Sequence, residues 1–110
     1  MSVIEEIEEI DRQISELIRK KFDKVEELVD EVNKKICPKI TEKFGWEAEA
    51  RIYEDYEDPT WKDVKIVIKS DVDCSDMNEL IKMLNELRQF IDVEFKEYGK
   101  YVFFDICSWR

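Results

Sequence analysis

Apolar residues recur at steps of three and four through the first third of the chain, at Ile7, Ile10, Ile14, Leu17, Ile18, Phe22, Val25, Leu28, Val29, Val32, Ile36 and Ile40. That spacing paints one face of an α-helix. Ser2 followed by Glu5 makes a capping box, and Glu5, Glu6, Glu8 and Glu9 suit the positive end of the helix dipole. Val3, Ile14, Val25 and Ile36 are 11 apart, as are Ile7, Ile18, Val29 and Ile40. An 11-residue repeat gives about 3.67 residues per turn instead of 3.5, which predicts a straight helix laid on a sheet rather than a zipper. Cys37-Pro38 predicts a kink or restart, with a last short turn from Lys39 to Phe44 and Gly45 as its stop.

From Trp46 the period changes to two. Trp46, Ala48, Ala50 and Ile52 alternate with Glu47, Glu49, Arg51 and Tyr53, the pattern of a half-buried strand. A loop follows through Glu54-Asp55-Tyr56-Glu57-Asp58-Pro59-Thr60, and Val64, Ile66 and Ile68 then mark one side of a second strand, with Val67 the exception on the other. The two strands read as an antiparallel hairpin. Asp71, Asp73 and Ser75 are candidate caps for a second helix whose stripe is Met77, Leu80, Ile81, Leu84, Leu87 and Ile91.

Residues 92–98 read as helix or strand. The strand reading is preferred, because β-branched Val93 falls off the helical stripe and Tyr98-Gly99 suits a turn. Tyr101 to Cys107 is apolar on both sides except at Asp105, which places it in the middle of a sheet or under a partner. Residues 1–110 therefore read as a single α+β domain, an antiparallel three- or four-stranded sheet with two helices on one face. Its element order is α-β-β-α-β or α-β-β-α-β-β.

Length sharpens this picture. A helix unbroken from residue 3 to residue 36 would run about 51 Å, whereas a compact chain of this size is only about 34 Å across. The helix either breaks, with Arg19-Lys20-Lys21 as the natural place, or its end packs on another subunit. A homodimer is the expected assembly. The expected interface joins the first helix to the last strand through Phe22, Val25, Val29, Val32, Ile36, Tyr101, Phe103 and Trp109.

Composition mainly excludes. The 110 residues contain 28 acidic and 18 basic side chains and no histidine, for a net charge of −10. Without histidine there is no His-based triad, and the commonest metal ligand is gone. Gly45 and Gly99 are the only two glycines, so no Gly-rich phosphate loop exists. Apolar runs are far short of a bilayer span, and the N-terminus lacks signal-peptide features, so a soluble cytoplasmic protein is expected. Cys37, Cys74 and Cys107 are odd in number and widely spaced. Reduced, mostly buried thiols are expected, with an interchain disulfide as the alternative and a three-thiolate metal site disfavoured. Charged residues make up 42% of the chain with few Asn and Gln, a thermophile-like bias.

Each candidate site has a plainer reading. Asp71, Asp73 and Ser75 match the start of a calcium loop, but Asp76 and Lys82 stand where glycine and glutamate are required. Helix capping explains Asp71, Asp73 and Asp76 better. Cys74 sits near a helix start yet among carboxylates that oppose a thiolate. The Glu54–Asp58 carboxylates read as a solvated loop. Trp46, Trp61, Trp109, Tyr101, Phe103 and Phe104 could stack bases, but the surrounding charge is acidic, so nucleic acid is not an expected partner. The expected role is that of a small, non-enzymatic, self-associating interaction or accessory module without cofactor. Alternatives are an acidic decoy that covers a basic protein surface and a carboxylate-dependent divalent-metal site or enzyme.

Overall fold

A computed structural model describes residues 2–54, 57 and 62–107. Helix α1 spans Val3–Lys35 without a break. Its Ser2 side chain accepts from the Glu5 amide at 3.1 Å, as the capping box requires. Ile36 closes α1, and α2 (Cys37–Phe44) restarts at once with Pro38 in its first turn, where the missing amide costs nothing. Gly45 ends α2 in the left-handed conformation at φ 78°, the one position among the described residues with a positive φ.

Strands β1 (Glu47–Glu54) and β2 (Lys62–Lys69) form the expected antiparallel hairpin, with Ala50 opposite Ile66 and Ile52 opposite Val64. Helix α3 runs Met77–Glu94, a 3-10 turn follows at Lys96–Tyr98, and β3 (Val102–Asp105) pairs with β2 in parallel. Among the described residues the sheet is three-stranded in the order β1-β2-β3. It is mixed, not antiparallel throughout.

Three expectations change with that topology. Residues 92–98 form no strand: α3 continues to Glu94, and Val93 simply faces solvent at 71% exposure. A β-branched residue on the outside of a helix costs only a few tenths of a kcal/mol, less than the packing that Phe90 and Ile91 gain by staying helical. The last strand is an edge and β2 is the middle, so β3's two-sided apolarity reflects the helices on one face and an aromatic pair, Tyr53 with Phe103, on the other. The α3 stripe is also rotated. Met83, Leu87, Phe90 and Ile91 are buried, while Met77, Ile81 and Leu84 are exposed.

All of the helices lie on one face of the sheet. Val25, Val32, Ile36 and Ile40 pack with Met83, Leu87 and Ile91 against Ala50, Val64, Ile66, Ile68, Val102 and Ile106. Val67 is buried on the opposite face, in register with Glu49 and Asp105. Two polar side chains lock the sheet's edges. Asn33 of α1 donates to the Ala50 carbonyl at 3.0 Å and accepts from the Ala50 amide at 2.8 Å, in effect adding one residue of strand to the free side of β1. Arg88 of α3 donates to the carbonyls of Gly99 and Val102 at 2.7 and 2.8 Å, fixing the entry to β3.

Cys74 and Cys107 are joined in a disulfide, which replaces the expected reduced pair. Parallel pairing explains it. The C-terminal ends of β2 and β3 lie at the same end of the sheet, so the loop leaving β2 meets the segment leaving β3 across a separation of 33 residues. Cys37 is a free, buried thiol.

Candidate functional site

The molecule measures 60 × 28 × 21 Å, with a radius of gyration of 17.8 Å. A compact chain of this length would have about 13 Å. The excess is α1. Its first residue in the buried core is Val25, so residues 3–21 project as about 28 Å of helix beyond the sheet.

The projecting part carries the same apolar face as the anchored part. Val25 and Val32 sit on the sheet, and the positions continuing their stripe toward the N-terminus are Leu17, Ile14, Ile10, Ile7 and Val3. Those five and Ile4 are 48–70% exposed. Of the apolar side chains, Ile18 on this stretch and Phe22 just beyond it are half-buried, Phe22 beneath the Lys62 ammonium at 4.2 Å. An isolated helix of this length is marginal in water, since helices draw most of their stability from packing.

Charge divides the projection lengthwise. Glu5, Glu6, Glu8, Glu9 and Asp11 are all acidic, and the basic cluster Arg19, Lys20, Lys21 and Lys24 follows. Local pairs, Arg12 with Glu9 and Lys24 with Glu27, lie on exposed flanks. The Lys24 ammonium is stabilised above its ordinary range by its hydrogen bond to Glu27 and by that carboxylate's charge. Where the projection meets the domain, a groove of about 490 Å³ has apolar walls that include Val25, Leu28 and Tyr101 and a rim of Lys21, Lys24, Lys100 and Asp63.

The interface residues expected from sequence are thus divided. Val25, Val32 and Ile36 are buried in the chain's own core, Val29 packs against it, and Phe22 and Phe103 are half-buried. The pattern that singled out these α1 residues marks a face that their own sheet covers. Tyr101 is 43% exposed at the groove, and Trp109 lies outside the described residues. The missed surface is Val3 to Leu17, whose signal was present in the length of α1.

Several of the remaining candidates have structural roles. Asp76, not Asp71, Asp73 or Ser75, caps α3 by accepting from the Glu79 amide. Asp73 accepts from the Ser75 amide and hydroxyl at 2.9 and 2.7 Å, shaping the turn before it. No group of three or more His, Cys, Asp or Glu suited to a metal is found among the described residues. Cys74 is spent in the disulfide, and burial pushes the Cys37 thiol up to about 11, where it stays protonated at neutral pH. Glu54 and Glu57 are exposed, and the rest of the Glu54–Asp58 loop, with Trp61, lies outside the described residues. Trp46 stacks on Phe44 at 4.8 Å. Among the described residues no helix is long and apolar enough to cross a membrane. No family model, curated protein or solved structure matches this chain.

Proposed function

We propose that this chain is a non-enzymatic interaction module that self-associates through the projecting part of α1. The observation that carries the reading is the uncovered apolar stripe from Val3 to Leu17 on a helix that outruns its own sheet. At about 100 Å² of apolar surface for a whole aliphatic side chain, the six exposed residues offer roughly 350 Å² per copy. Two copies would bury about 700 Å², and with the usual polar share the interface would come to about 1,100 Å². That lies just under the range of stable interfaces, about 1,200–2,000 Å², in the class of weak, reversible association.

The stripe is apolar rather than charged, which favours a second copy over a basic protein surface. Acidic flanks oppose both anionic lipid and nucleic acid. Cytoplasmic placement goes with the thermophile-like composition: disulfides such as Cys74–Cys107 persist inside cells mainly in hyperthermophiles.

Ile14→Asp tests the reading, because Ile14 is mid-stripe and outside the core. The variant keeps the wild-type near-ultraviolet circular dichroism and has the mass of one chain at concentrations where the wild type has twice that mass. A variant that folds and associates like the wild type would overturn the proposal.

A further inference from the structure

We infer that the two projections pair antiparallel in one register, with Ile10 of each copy opposite Ile14 of the other; this rests on the self-association proposed above. Val3, Ile7, Ile10, Ile14 and Leu17 alternate at steps of four and three, the heptad spacing of a two-helix seam. Charge sets the direction. In a parallel pair, Glu5 to Asp11 of one copy would lie against the same acids of the other, and Arg19 to Lys24 against the same bases. Reversing one helix brings acid beside base at both ends.

Two antiparallel registers bury four of the five stripe residues. One places Ile7 opposite Ile10 and Ile4 beside Asp11 of the second copy, leaving Leu17 unpaired. The other places Ile7 opposite Leu17 and Ile10 opposite Ile14, with Ile4 beside Ile18 and Glu6 beside Lys20 of the second copy. The second keeps the apolar flanks together and pairs Glu6 with Lys20 at both ends, at the cost of setting the two Asp11 side chains beside each other at the symmetry axis. It also brings the first turn of each helix to the groove of the other copy, where Lys21, Lys24, Lys100 and Asp63 rim the apolar Val25, Leu28 and Tyr101. Val3 and Ile4 match its apolar wall, and Glu5 and Glu6 meet a rim of three lysines and one acid, in which Lys24 is already paired with Glu27. The domains then stand at opposite ends of a rod about 28 Å long.

Charge reversal tests the register, since Glu6 and Lys20 are both exposed and outside the core. Glu6→Lys and Lys20→Glu each put like charges together at both symmetry-related contacts, so each variant alone associates about tenfold more weakly. Mixed in equal amounts they pair acid with base again, and sedimentation equilibrium shows two-chain mass recovered to within about threefold of the wild-type Kd. In a parallel pair Glu6 would instead face Asp11, and Glu6→Lys alone would tighten association. A wild type that associates while the mixture is no stronger than either variant alone overturns the register but leaves self-association standing. A wild type with the mass of one chain throughout overturns both.

Discussion

Asn33 ties α1 to the free edge of β1, and its removal has a calculable cost. Its side-chain amide makes two hydrogen bonds to Ala50, at 2.8 and 3.0 Å, on the free edge of β1. Ala50 is only 4% exposed, so water reaches its backbone poorly once the amide is gone. A poorly hydrated donor or acceptor left without a partner costs about 1–3 kcal/mol. Asn33→Ala removes two such partners at a half-buried site, and about 2–3 kcal/mol of unfolding free energy should be lost in urea titration.

Asn33→Asp separates this bond from bulk packing. The carboxylate still accepts from the Ala50 amide but repels its carbonyl; the protonated acid can donate to that carbonyl again. Its folded pKa is therefore raised above the unfolded value of about 3.9. The sign follows: the Asp variant approaches wild-type stability below that value and loses ground as pH rises through the folded pKa. An Ala variant within 0.5 kcal/mol of wild type (about the scatter of ordinary surface substitutions), or an Asp variant whose deficit is independent of pH, would refute the edge-lock reasoning.

Other outcomes follow from the same structure. Ile10→Ala with Ile14→Ala removes side chains that are half-exposed in one copy and would be covered by a second, about 5 kcal/mol over the four sites of a dimer. Association weakens by roughly three orders of magnitude in sedimentation equilibrium, with the domain's own unfolding unchanged; Val32→Ala, wholly buried, instead lowers domain stability by about 2–3 kcal/mol. Under denaturing, non-reducing conditions a thiol reagent titrates one cysteine, and after reduction three, because Cys74 and Cys107 are joined. Opening that loop of 33 residues lowers stability by about 3–4 kcal/mol in the chain-entropy account. Cys37 titrates near 11 when folded and near 9.0 when unfolded. The unfolded chain releases that proton first, so stability falls between pH 9 and 11 by about 2–3 kcal/mol, a decline that Cys37→Ala lacks.

The sequence marks local elements well where one residue type has one physical use. Ser2 with Glu5, Pro38 and Gly45 delimit the first two helices because a cap, a missing amide and a positive φ each admit few residues. Ala48, Ala50 and Ile52 reveal β1 because a half-buried strand alternates. The direction of β3 was not legible: Val102, Phe103 and Phe104 are apolar on both sides whether the strand runs parallel or antiparallel to β2. The helical end of α3 was obscured by Val93, whose propensity is a weak term beside the packing of Phe90 and Ile91. Cys74 and Cys107 show no pairing signal, since their proximity exists only after the parallel crossover has formed.

The stripe on α1 was legible as a pattern but not as a surface. Val3 and Ile14 stand in the same 11-residue repeat as Val25 and Ile36, and nothing local distinguishes the half that the sheet covers from the half it cannot reach. Helix length against domain diameter was the only sequence observation that separated them.

Sedimentation equilibrium of the unmodified chain, from about 1 to about 100 μM at moderate salt, tests self-association most directly. Pairing of the α1 projections gives a mass rising to twice 13.3 kDa, with no higher species. A mass of one chain across the whole range would contradict it.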